Sequence, residues 1–203
     1  VKNNMADAHE IGESFPVTFV DFGNIDTENM QKIPFVDLTV TVTDISVRDD
    51  VSALRDPSML DPDVAKLLND DGKLPTADYS FVKYGDGINT QSVTTVATIP
   101  DQQLYMVAAT VEFTNNTDET IQEVCYNGRL LSIAQTADGW SVTNPEPDDP
   151  SVEYDEGLSD CYARLEEMRY WDLRWDGSNG GNEIVDLAPG ESVTIQMGFL
   201  VSE

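Results

Sequence analysis

The stretch "LAPGESVTIQMGFLV", residues 187–201, decides how the rest of the chain reads. Pro189 fixes φ and Gly190 tolerates a positive one, so the pair makes a turn. After it, Val193, Ile195, Met197, Phe199 and Val201 alternate with smaller or more polar neighbours. A period of two sends alternate side chains to opposite faces of a strand. The segment therefore reads as the closing strand of a β-sheet with one face set into a core, and Phe199 belongs to that core.

Working outward, the same period recurs. In "DQQLYMVAATVEFTNNTDE", residues 101–119, Tyr105, Val107, Ala109, Val111 and Phe113 keep strict alternation and "NNTDE" supplies a turn. "SFPVTFVDFG" gives a first strand with Phe15, Val17 and Phe19 on one face. "VDLTVTVTDISVRD" gives a second, but its parity switches: Leu38, Val40 and Val42 share one, Ile45 and Val47 the other. One extra residue near Asp44, a β-bulge, accounts for the switch. The threonines at 39, 41 and 43 fit a sheet with one wet side.

Between the strands the period changes. In "SMLDPDVAKLLNDDG", Asp61 caps a short helix or helical turn with Pro62 at its first position, Val64, Leu67 and Leu68 on one side, and Gly72 as the stop. This insertion is expected over one end of the sheets. "ADYSFVKYGDGIN" and "TQSVTTVATIP" read as a hairpin or a long excursion, turning at Gly85 and Gly87. "TIQEVCYNGRLLSIAQTADGW" reads as one or two strands broken by a tight hairpin turn at Asn127-Gly128. Residues 144–160 hold three prolines and seven acids and read as a loop. In "LSDCYARLEEMRYW", Leu158, Cys161, Leu165 and Met168 fall at helical spacing, and Tyr170, Trp171, Leu173 and Trp175 follow as a strand.

Many short strands punctuated by Gly, Pro and Asn turns make this an all-β chain, one sandwich domain over 15–203 behind a flexible polar lead, 1–14. At 203 residues and 40% hydrophobic content it can bury a sizeable core. The formal net charge is −27, from 38 acids against 11 bases. Such a field repels phosphate backbones and anionic headgroups, so nucleic acid is not an expected partner. No apolar run reaches the length of about 18 residues that a membrane span needs. Acidity of this degree suits a soluble secreted or salt-exposed protein.

The strand "LYMVAATVEFTNNTDE" and its partner "LAPGESVTIQMGFLV" resemble the immunoglobulin-like domains of lipoproteins in Gram-positive bacteria, families known only as domains of unknown function. "DLTVTVTDISV" is similar to their first core strand, which often precedes a short helical insertion. The resemblance covers roughly residues 35–203. It implies an immunoglobulin-like β-sandwich held outside the cell by a lipidated cysteine upstream of Val1, and it implies no reaction. The segments 79–100 and 144–160 depart from the family pattern.

Chemistry-bearing motifs are sparse. "DEGLSDC" imitates the tyrosine corner of true immunoglobulin domains, but Ser159 stands where the tyrosine belongs, and Cys125 and Cys161 lie only 36 positions apart. The two cysteines are a disulfide candidate, with buried or reactive thiols as alternatives; closing roughly 35 residues would contribute about 3–4 kcal/mol. "SFVK" at 80–83 matches Ser-x-x-Lys without the partner motifs that chemistry needs. A Ser-His-Asp arrangement would have to use His9, in the polar lead. "NDDG" and "DDPSVEYDEG" lack the ligand spacing of a calcium loop, so no metal and no cofactor are expected. Among 38 acids a hydrolytic carboxylate pair carries no signal.

The best ligand-contact candidates are the aromatic residues Tyr162, Tyr170, Trp171 and Trp175. In a strand Tyr170 takes the opposite parity to Trp171 and Trp175, so one set faces the core and the other could stack on a sugar or a partner chain. The alternative is that Trp171, Leu173 and Trp175 form one buried face. The expectation is a non-catalytic domain that binds an unidentified protein or glycan at the cell envelope, with the membrane reached only through the upstream anchor. A carbohydrate-binding module and a carboxylate-based hydrolase are the other readings.

Overall fold

The computed structural model describes residues 8–25, 34–84, 93–128, 130, 132–136, 139–143, 162–163, 168–173 and 181–202. The chain is all-β, with antiparallel sheets in two layers. The main sheet runs β1 (Ser14–Val20), β2 (Phe35–Arg48), β4 (Val93–Asn115), β11 (Ser192–Ser202), β9 (Met168–Trp171). β3 (Thr76–Tyr84) pairs with the first half of β4 and with the short β8 (Tyr162–Ala163). A second sheet pairs β5 (Ile121–Cys125) with β10 (Glu183–Leu187), and β6 (Ser132–Thr136) and β7 (Gly139–Thr143) form a separate ribbon.

β11 lies between β4 and β9, in unbroken register with β4 from Ser192–Thr114 to Ser202–Leu104. Its inward parity is the expected one: Ile195, Met197 and Phe199 are buried against Val111 and Phe113 of β4, Leu38 and Val40 of β2, and the covering residues Ile121, Val124, Ile184 and Leu187 of the second sheet. The bulge in β2 falls between Val42 and Asp44, and Thr43, left over, donates its hydroxyl to the Thr110 carbonyl at 3.2 Å.

The other face of the same strand is not wet. Residues 195 to 200 are buried without interruption, because Leu200 and Gln196 lie beneath the segment 49–75. There Leu54, Leu60, Val64 and Leu74 pack on Leu104, Met106 and Ala108 of β4, Leu200 of β11 and Tyr170 of β9. The main sheet thus carries two cores, one on each face. The expected helix inside this segment is a single turn, α1 (Pro62–Ala65). Asp61 caps it by accepting from the Asp63 and Val64 amides at 2.8 and 3.3 Å. Asn69 then accepts from the Asp71 and Lys73 amides, turning the chain, so Leu67 is exposed rather than on the packed side.

Two further expectations are corrected. Asn127-Gly128 does not close a hairpin: β5 pairs with β10 (Ile184 opposite Val124, Leu187 opposite Ile121). Gly128 is needed for clearance, since a Cβ there would meet Phe199 Cζ at 2.7 Å and Met197 Sδ at 3.0 Å. The helical spacing through Met168 is not a helix where the structure describes it, for Tyr162–Ala163 and Met168–Trp171 are strands. Cys161, Trp175 and the acidic loop 144–160 lie outside the described residues.

Phe199, 4% exposed, is enclosed by both layers. Phe199→Ala should cost about 3–5 kcal/mol in urea denaturation, whereas exposed Thr194→Ala on the same strand should cost under about 0.5 kcal/mol.

Candidate functional site

Two of the four aromatic candidates, Tyr170 and Trp171, stand on β9, the edge strand beside β11. Trp171 stands opposite Met197 and Tyr170 opposite Gly198, and the register then slips so that Met168 faces Phe199. The slip makes Arg169 the extra residue and brings Met168 to the same inner core as Trp171 and Leu173. Tyr170 points the other way, into the second core, and is 0% exposed. Gly198 admits it: a Cβ there would meet the Tyr170 Cβ at 2.9 Å. Tyr170 is therefore a packing residue and Trp171 is half-buried against the inner core. The backbone at Tyr162 belongs to β8, away from this strand's pairing partners.

Polar groups around Tyr170 fasten the insertion to the sheet. The Asp56 amide donates to the Tyr170 hydroxyl at 3.1 Å. Gln196, buried in the middle of β11, accepts from the Arg55 amide at 2.7 Å and donates to the Ala53 carbonyl at 2.9 Å. Arg55 Nε meets Asp172 Oδ2 at 2.6 Å, and the other oxygen of Asp172 accepts from the Gln196 amide at 2.7 Å. Further along, the Asp61 amide donates to the Arg169 carbonyl at 2.9 Å. Gln196 was legible only as a polar residue inside an apolar run, which alternation assigns to solvent.

Two more buried polar side chains are fully engaged. Asp21 ends β1 and bridges to β5: Oδ1 accepts from the Glu123 amide at 3.1 Å, Oδ2 from the Gln122 amide at 3.2 Å and the Asn24 side chain at 2.9 Å. Asn115 donates to the carbonyls of Glu119 and Leu187, both at 2.9 Å, and accepts from the Thr117 amide at 2.9 Å and its hydroxyl at 2.7 Å. The Asn-Asn-Thr stretch is indeed turn chemistry, tying the turn after β4 to the end of β10.

Cys125 is an exposed, free cysteine whose sulfur lies 3.9 Å from Glu183 Oε1. Partial burial of the sulfur and the carboxylates of Glu183 and Glu123 push its thiol pKa up, which keeps it a poor nucleophile. Among the described residues no three His, Cys, Asp or Glu side chains are grouped to hold a metal ion. Shallow grooves are present among the described residues. One, about 340 Å³, lies between His9, Ile11 and Phe15 on one side and Val42 and Ile45 on the other. The second, about 460 Å³, is lined by Asp21, Phe35, Asp37, Asp118 and Glu119 among others. In it Asp21 is engaged as above and Asp37 accepts from the Thr18 hydroxyl at 2.6 Å.

No family model matches this chain, and neither does any curated protein or any solved structure.

Gln196→Ala leaves a part-buried carbonyl and a part-buried amide of the insertion without this partner, so it should cost about 1–2 kcal/mol in denaturant and raise amide exchange through 53–56. Burial holds the Tyr170 phenol above its ordinary value. With the folded-state pKa raised, its contribution is complete below the unfolded phenol's value of about 10 and is lost as pH rises through the folded one. Stability measured from pH 8 to 11 should therefore fall at the alkaline end. Tyr170→Phe should flatten that fall while lowering stability at pH 8 by about 1 kcal/mol through the lost bond to Asp56.

Proposed function

We propose that this chain is a non-catalytic, immunoglobulin-like sandwich that binds or scaffolds at the cell envelope, exported and held there by a lipid anchor. The observation that carries the reading is Asp21, the buried carboxylate among the described residues. A catalytic carboxylate needs an oxygen directed at a cleft, free to take or give a proton. Both oxygens of Asp21 are instead occupied by backbone amides and Asn24. Its role is to stitch β1 to β5. Asn115 and Gln196 are likewise engaged in joining elements.

Between the two kinds of partner, a protein is favoured over a glycan. A sugar-stacking platform needs exposed ring faces, and the two aromatic candidates whose side chains are described do not offer one, since Tyr170 is enclosed by the insertion and Trp171 packs on the inner core. The acidic surface, −27 overall, favours a partner with basic groups.

The test combines turnover and binding on the same preparation. Purified chain is incubated with wall polysaccharides and reducing ends are counted, and it is titrated calorimetrically with the same polymers and with purified basic envelope proteins. The expected result is no release of reducing ends and saturable, salt-sensitive binding to a basic protein. Catalytic release of sugar, abolished by a single Asp→Asn or Glu→Gln substitution, would establish the hydrolase reading instead. Saturable binding to a polysaccharide without turnover would establish the carbohydrate-binding module.

A further inference from the structure

The second half of β2 is an open edge of the main sheet. β1 runs beside β2 only between Val20 opposite Phe35 and Ser14 opposite Thr41. The residues ahead of β1 turn away, with the Glu13 amide donating to the Glu10 carbonyl at 3.0 Å, and the last link is the Gly12 amide to the Val42 carbonyl at 2.8 Å. From Thr43 to Arg48 no described strand pairs with β2 on that side.

The register fixes which groups this edge presents. Along a strand the N–H and C=O of one residue point to the same side, and successive residues alternate. The carbonyls of Pro34, just before β2, and of Val42 accept from β1 and its lead, so even-numbered residues face β1 ahead of the bulge. On β4 the Asn115 amide donates to the Glu191 carbonyl, so Met106, Ala108 and Thr110, of the other parity, direct their backbone groups at β2. They stand opposite Arg48, Ser46 and Asp44. The bulge has therefore reversed the parity, and past it the backbone groups of Ile45 and Val47 point to the open side. Their side chains lie opposite Ala109 and Val107, which pack on the inner core, yet they are 45% and 56% exposed. The groove between Ile45 and the residues His9, Ile11 and Phe15 opens beside them. Edges are commonly blunted by lysine, proline or an inward-pointing charge. The stretch "TDISVR", residues 43–48, has no lysine or proline, and its charges, Asp44 and Arg48, take the parity opposite to Ile45 and Val47.

We propose that a partner protein docks here by adding an extended segment of about five residues as a further strand of the main sheet. This rests on the reading of the chain as the binder of a basic protein, and it names the surface. Unpaired backbone groups on an edge select an extended backbone, which no sugar or folded helix supplies. Ile45, Val47 and the groove select apolar side chains on the segment's inner face. Glu10 in the groove wall, exposed Asp44 on the outer face and the overall charge of −27 select basic residues elsewhere on it. A second copy of this edge is the poorer occupant, because two chains of −27 repel.

The probe is a short fluorescent peptide of alternating valine and lysine, titrated into the full chain while amide exchange is followed by NMR. In the free chain the Ile45 and Val47 amides should exchange fast, and saturating peptide should slow them at least about tenfold, since each gains a backbone acceptor. Methylating the peptide's pairing amides should weaken binding at least about tenfold, because two or more hydrogen bonds are lost. Val47→Lys should weaken it as much, whereas Val185→Lys, the same charge change at an exposed site on β10, should leave it within about twofold. Should Val47→Lys fail to fold, the methylated peptide against the parent chain decides the matter. Amides of Ile45 and Val47 that are already slow in the free monomer, or that millimolar peptide leaves fast, would overturn the proposal. So would a parent dimer in sedimentation that Val47→Lys converts to monomer. A basic envelope protein that binds the parent chain and Val47→Lys equally would overturn this edge and leave the broader reading standing, while failure of every basic protein to bind would overturn both.

Discussion

Both faces of β11 must be kept from water, and the rest of the fold answers that requirement. A strand with polar residues on alternate positions could leave one face wet, but residues 195 to 200 are buried on both. The inner face is covered by apolar side chains of a second sheet, which needs no particular partner for any one atom. The outer face carries Gln196, whose amide cannot be buried without hydrogen bonds. That polar residue restricts what can cover it: a backbone that offers one N–H and one C=O at the right separation, which Arg55 and Ala53 provide. The insertion is thereby fixed in one register on the sheet, whereas an all-apolar contact would have tolerated sliding.

What was legible in the sequence follows from the range of the interactions involved. The bulge in β2 could be read because a parity switch within fourteen residues records it, from Val42 to Ile45. The terminal strand and Phe199 could be read because alternation is local. Asn127-Gly128 misled because its turn preference is also local, while the requirement that placed Gly128 there, clearance over Phe199 and Met197, comes from a strand more than sixty residues onward. The pairing of β5 with β10 leaves no mark in either segment alone. Met168 looked helical because the slip at Arg169 moves it to the inner face out of step with a strict period of two.

The aromatic site shows the same limit from the functional side. Parity correctly separates Tyr170 from Trp171, but deciding which is outward presumes that the sheet has an outside at that point. Because the insertion covers β9 and β11 there, Tyr170 enters a second core and its hydroxyl becomes a docking point for the Asp56 amide. A ring that alternation offers to a ligand is used to hold the molecule's own chain.

The scarcity of bases gives their positions weight. Of the described ion pairs, Arg55–Asp172, Lys66–Asp63, Lys73–Asp49 and Arg169–Asp61 all involve the insertion or its anchor on β9. The segment 49–75 holds seven of the chain's acids, so unrelieved repulsion would work against seating it on an acidic sheet. Exposed pairs such as Lys66–Asp63 contribute little individually, and salt screens them. The directional work falls to the buried neutral amide of Gln196 and to Asp172, whose charge Arg55 compensates. On a chain of −27 a buried carboxylate in place of Gln196 would add to the repulsion and offer no donor for the Ala53 carbonyl. A neutral group that both donates and accepts is the chemistry that lets so acidic a protein close a second core.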